Sequence, residues 1–153
     1  MHDNIDALTP AQLLELAHSP HAVERYSALA QPHFLLADLR TDTRIAASDG
    51  NAIAAWLQQL PCPTIAIGSD HALLPAFDIA IAAPQNITAL YNNIARAPIA
   101  AMTLVQTLRL TAMLPLETAL TVESLAYATL QGGPEFQRWS AANPPRAVEV
   151  IDD

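Results

Sequence analysis

The segment Gly68-Ser69-Asp70-His71 combines a carboxylate and an imidazole that could act as an acid/base pair on a small molecule. The backbone N–H of Ser69 could meet an anion. The competing reading is a solvated turn in which Asp70 caps the next segment. Ser69 is not a nucleophile elbow, because Gly-x-Ser-x-Gly is absent. A second cluster, Asp38, Arg40, Asp42 and Arg44, could border a pocket, its arginines meeting phosphate or carboxylate. Its competing reading is a surface ion-pair cluster of little energetic value. Glu123 is the third candidate. It stands in line with Leu116, Leu120, Tyr127 and Leu130 at helical spacing, so it reads as a carboxylate in an apolar stripe. Such a group needs a partner, Tyr127, Arg109 or Arg138, or else a raised pKa in a pocket.

Other chemistries are excluded by what the chain lacks. Its seven basic residues, Arg25, Arg40, Arg44, Arg96, Arg109, Arg138 and Arg146, are all arginines. Without lysine there is no Schiff base, no pyridoxal phosphate attachment, no biotin or lipoyl carriage and no Walker-type phosphate lysine. The formal net charge is −8 and the arginines are scattered, which argues against nucleic acid and against an anionic membrane. A polyanionic small ligand such as coenzyme A remains compatible, since two or three arginines could converge in space. The five histidines (2, 18, 21, 33 and 71) show no metal-ligand spacing, so no metal site is expected. Cys62 is the one cysteine, flanked by prolines, and reads as a buried small residue.

The elements that must position these groups follow from patterning. The 153 residues, 52% hydrophobic and 14% charged, suit one domain with a proper core. Thr9-Pro10-Ala11-Gln12 opens a first helix with a capping box, and that helix ends near His18. A short helix is expected over 21–30. The nearly continuous apolar run His33 to Leu39 reads as a buried parallel strand. Asp49-Gly50-Asn51 leads into a helix over 52–60, with Ile53, Trp56, Leu57 and Leu60 on one face. Thr64 to Gly68 and Phe77 to Ala82 read as the second and third strands. From Pro84 the chain turns helical, with helices expected over 86–96, 98–113, 115–130 and 133–141. The second of these is apolar on most sides and should be sandwiched between other elements.

The expected fold is therefore α/β, a short mostly parallel sheet of about three strands with a crossover helix, followed by a cluster of about four helices. Residues 1–142 form the domain, with its sheet part over 33–83 and its helical part over 86–141, and 143–153 form an acidic tail. The start Met-His-Asp-Asn-Ile-Asp lacks the basic beginning of a signal peptide. The most apolar stretch, Ile94 to Leu114, is broken by Arg96, Pro98, Gln106 and Arg109 and is too polar to span a bilayer. The expected compartment is the cytoplasm.

Several short motifs give the chain a family likeness. Leu60-Pro61-Cys62-Pro63-Thr64-Ile65-Ala66-Ile67 resembles the crotonase (enoyl-CoA hydratase/isomerase) pattern in which a helix ends at a Lys/Cys-Pro step before an alanine-rich central strand. Phe77-Asp78-Ile79-Ala80-Ile81-Ala82 is similar to that family's next strand, and Leu114-Pro115-Leu116-Glu117-Thr118-Ala119-Leu120 through Glu123 to its C-terminal helix motif. Gly133-Pro134-Glu135-Phe136 stands near its acidic, glycine-containing turn. Together they cover roughly residues 33–141.

The departures bear on chemistry. Crotonases hold a thioester enolate with two backbone N–H groups in glycine-rich turns. After Leu39 this chain has Arg40-Thr41-Asp42-Thr43-Arg44, and the second turn is reduced to Gly68-Ser69-Asp70-His71-Ala72-Leu73-Leu74-Pro75, with one glycine. The family's acid/base carboxylates have no counterpart. The resemblance then implies a truncated, degenerate member, a non-catalytic or weakly active subunit that binds an acyl-CoA-like ligand or a protein partner. It needs no cofactor and assembles into a homo-oligomer through its C-terminal helices, or with a companion protein. The alternative is a small enzyme on CoA thioesters with a rearranged site using Asp70, His71 or Glu123 for catalysis and Arg40, Arg44, Gly68 and Ser69 for binding.

Overall fold

A computed structural model describes residues 6–40, 44–84 and 87–144. Asp42, the first five residues and the tail beyond residue 144 lie outside the described residues. The fold is α/β, as expected. Three parallel strands, β1 (Leu35–Asp38), β2 (Thr64–Ile67) and β3 (Ile79–Ile81), lie in the order β1-β2-β3. Ala37 faces Ala66, and Ala66 faces Ala80. Leu8 adds a single bridge to the outer edge of β1, donating its N–H to the Leu36 carbonyl and accepting from Asp38 N–H.

Alternation along the strands divides the core between the two faces of the sheet. Leu35, Ala37, Leu39 and Ala66 face α1 (Pro10–Ala17) and α2 (Ala47–Leu57), packing with Leu13, Ile53, Trp56 and Leu57. Phe34, Leu36, Ile65 and Ile67 turn the other way, onto Ile94 of α3 (Ile87–Arg96) and Ala101 of α4 (Pro98–Thr111). The sheet is thus covered on both faces, which suits the continuous apolar runs of parallel strands. Outside this sandwich, α5 (Leu116–Gln131) packs on α4, and α6 (Pro134–Ala142) packs on α5. Among the described residues no helix is long and apolar enough to cross a membrane.

The capping box forms: Thr9 Oγ1 accepts from Gln12 N–H and Gln12 Oε1 accepts from Thr9 N–H. Three expectations need correction. The helix expected over 21–30 is only a 3₁₀ turn, Ala22–Arg25, because Ser27 Oγ accepts from Leu29 and Ala30 N–H and holds the chain in a local turn. The helix expected from 52 begins at Ala47, so Asp49-Gly50-Asn51 lies inside it. Burying Ile53, Trp56 and Leu57 outweighs a glycine penalty of about 1 kcal/mol, and Asp49 favours the first turn. Finally, α4 does lie between the sheet layer and α5, but its cover is incomplete. Val105 is its only buried residue, while Leu104 and Leu108 are 58% and 59% exposed. Of its neighbours, α5 covers only part of its outer side, and α5 itself buries no residue.

Candidate functional site

The carboxyl ends of β1 and β2 lead into a cleft of about 800 Å³ that runs along α2. Arg44 and Ile45 form one side, Asp70 to Leu73 the other, and Ala46, Ala47, Asn51 and Gln58 line its length. Its position follows from topology, since loops after parallel strands gather at one edge of the sheet. Gly68 makes this edge possible. Its N–H donates to the Ile81 carbonyl, its φ is +156°, and a Cβ there would stand 3.3 Å from Leu39 Cβ. A side chain here would strain the backbone and push Leu39 back by a few tenths of an ångström, so glycine suits the close approach of the two strand ends.

Of the expected site residues, the fold brings Asp70, His71 and Arg44 to one cleft and leaves the others apart. Asp70 is exposed and makes no hydrogen bond with His71. His71 Nδ1 instead accepts from Leu73 N–H at 3.1 Å, so in the neutral ring the proton sits on Nε2. Gly68 and Ser69 lie beside the cleft without lining it, Gly68 buried and Ser69 exposed. Arg40 turns back on its own strand. It grips Asp38 through Nε at 2.9 Å and Nη2 at 2.6 Å, and its N–H donates to Asp38 Oδ1. The hydrogen-bonded Arg40 guanidinium holds the Asp38 carboxyl below the usual carboxylate range. At α2, the cap residue Ala46 offers no side-chain acceptor to the helix's first N–H groups, and Ala46 and Ala47 line the cleft.

Glu123 departs from expectation. The apolar stripe it belongs to is on the outside, and Glu123 is exposed, with no ion pair or hydrogen bond from its side chain among the described residues. It lines a separate hollow of about 390 Å³ between α4 and α5 with Leu104, Leu120 and Tyr127. Arg109 was an expected partner for it and is committed elsewhere. Its Nε and Nη2 reach the two oxygens of Asp78 at 2.8 and 2.5 Å, while Nη1 and Nη2 donate to the Leu60 and Cys62 carbonyls. Thr64 completes the cluster, donating its N–H and Oγ1 to Asp78 Oδ2 and accepting from Asp78 N–H. Both charged side chains are nearly buried, at 11% and 12% exposure. This clamp ties α4 to the starts of β2 and β3 and is structural.

Sequence reasoning missed three features. The Asp78–Arg109 pair had a signal, a charge standing in each of two apolar runs. Glu135 had none at short range, for it accepts from Ile99 and Ala100 N–H at 2.9 and 2.8 Å and so caps α4 from another helix. The third is a hollow of about 590 Å³ lined by Tyr127, Leu130, Phe136 and Trp139, with the Phe136 and Trp139 rings stacked 5.7 Å apart. As expected, Cys62 is wholly buried, and burial pushes its thiol up to about 12 against the lowering influence of Arg109. Among the described residues no group of His, Cys, Asp and Glu could hold a metal ion. Comparison with protein-family models, with curated proteins and with solved structures finds no match to this chain.

Proposed function

We propose that this chain is a crotonase-like protein without that family's usual oxyanion turns and carboxylates, a non-catalytic or weakly active subunit that takes an acyl-CoA-like anion in the cleft beside α2. The observation that carries the reading is the cleft's chemistry. Arg44, His71 and the amino end of α2 line a space of about 800 Å³, and among the described residues Asp70 is the single carboxylate on its wall. A guanidinium and free helical N–H groups favour phosphate or a carboxylate. One carboxylate, not hydrogen-bonded to its neighbouring imidazole, is poor equipment for two-carboxylate hydration. The exposed apolar sides of α4 and α5 further support a subunit that works in an assembly. We assign it to the cytoplasm, where a single buried thiol stays reduced.

A small active enzyme on CoA thioesters is the second reading, favoured by Asp70 and His71 sharing the cleft. Thermal unfolding with millimolar CoA, acetyl-CoA and crotonyl-CoA tests both. Ligand at about a hundred times its dissociation constant adds roughly 2.7 kcal/mol, a shift of several degrees. The shift is expected with wild type and lost in Arg44→Ala; no shift with any of the three refutes the ligand. Turnover of crotonyl-CoA that disappears in His71→Ala would establish the second reading.

A further inference from the structure

We propose that the two hollows along α4, α5 and α6 form one binding site for an amphipathic cation, a small molecule with a quaternary ammonium head and an apolar tail. The hollows, of about 390 and 590 Å³, share Tyr127 and Leu130 and so run into one another. Each has the size of a small-molecule site, and no residue lining them also lines the cleft beside α2. Leu108, Met113 and Leu116 are exposed and line neither hollow, so the site leaves them open to an assembly.

The chemistry of the walls selects the ligand. Tyr127, Phe136 and Trp139 bring three aromatic rings to the larger hollow. Ring faces carry negative charge, and a quaternary ammonium has no N–H that must find an acceptor, so such rings suit it well. They are held in place without a ligand: Phe136 and Trp139 stack with centroids 5.7 Å apart, and Gln131 Nε2 donates to the Tyr127 hydroxyl at 3.0 Å. Two carboxylates, Glu123 and Glu135, stand on the walls, and among the described residues no arginine or histidine does. Glu135 is fastened to the Ile99 and Ala100 N–H groups. Glu123, one helical turn from Tyr127, makes no ion pair or hydrogen bond among the described residues. An anionic ligand would be repelled here, and a neutral one would cover Glu123 without offsetting its charge. Leu104, Leu120 and Leu130 supply the apolar remainder, which takes the tail.

The test is a titration of the full chain with hexyltrimethylammonium, followed by tryptophan fluorescence and calorimetry. Trp139 is 60% exposed and Trp56 only 5%, so a ligand against Trp139 changes the signal of the exposed ring. Saturable binding is expected, about tenfold or more tighter than that of 1-octanol or octanoate. Trp139→Leu and Glu123→Gln are each expected to weaken it about threefold or more, and only Glu123→Gln to flatten its dependence on salt. Both side chains are exposed, and circular dichroism confirms that each variant is folded. Octanol binding as tightly as the ammonium, or affinity unchanged in both variants, would overturn the proposal. A wild-type mass of two chains that Trp139→Leu returns to one would assign the trough to a second copy and overturn it equally. The CoA thermal shifts depend on other residues, so either reading can fail without the other.

Discussion

Replacing Arg109 by methionine keeps most of the side chain's length and removes its charge and all four of its donated hydrogen bonds. The carboxylate of Asp78, 12% exposed, is then left with only the two donors of Thr64, and the carbonyls of Leu60 and Cys62 lose the guanidinium. Breaking a buried ion pair from one side costs about 3–5 kcal/mol. Whole-domain stability is about 5–15 kcal/mol, so Arg109→Met should leave a folded but much weakened protein. With a urea slope near 2 kcal/mol per molar, the midpoint falls by about 1.5–2.5 M. Trp56, 5% exposed, reports the core by fluorescence, and far-ultraviolet circular dichroism reports the helices. Asp78→Asn should cost a similar amount by stranding the arginine. The double substitution removes both charges and should cost at least ~2 kcal/mol less than the two single losses together. Strictly additive losses, or a single-variant cost below about 1 kcal/mol, would refute the clamp.

Three further outcomes are expected. Gly68→Ala forces a Cβ to 3.3 Å from Leu39 Cβ at a φ of +156° and should lower stability by about 1–3 kcal/mol, seen as a lower Tm. Glu135→Ala uncaps α4 and should cost about 1–2 kcal/mol, with faster hydrogen exchange at Ile99 and Ala100; unchanged exchange there would remove the cap. The Cys62 thiol, pushed up to about 12 from 9.0 by burial, should resist alkylation at pH 8 until the protein unfolds. A folded pKa above the unfolded one means that this stabilisation is complete below about pH 9 and is lost as pH rises towards 12. Tyr26, raised chiefly by burial and next by Cys62, with Arg25 opposing, acts in the same direction, so alkaline titration should unfold the chain cooperatively.

The layered part of this fold was legible because its signals are local. Thr9 and Gln12 form the expected capping box, and the runs around Leu36, Ile65 and Ile79 are strands since continuous apolar sequence suits a sheet covered on both faces. Boundaries were harder wherever tertiary burial outbid propensity, as at Gly50, or a side chain captured the backbone, as at Ser27. The cleft was half legible: strand ends pointed to Arg44, Asp70 and His71, but nothing in sequence foretold that Arg40 would fold back on Asp38. Apolar composition on α4 and α5 implies burial only if something lies against it. No sequence pattern distinguishes a face covered by the same chain from one left open, and Glu123 was misjudged as enclosed for that reason.

The cap on α4 also bears on how the chain is made. A ribosome delivers Ile99 and Ala100 some three dozen residues before Glu135, the group that accepts their N–H bonds. The strand pairs wait for shorter stretches, 29 residues from Leu35 to Thr64 and 14 from Ile65 to Ile79, and β1, β2 and β3 are neighbours in the order in which they emerge. The nascent chain can therefore lay down its parallel strands as it leaves the tunnel, while the first turn of α4 frays until α6 arrives to fasten it. Vectorial synthesis would leave the helical half to lock last, and a stalled chain ending before residue 135 would display an unsealed helix to whatever chaperone waits at the exit.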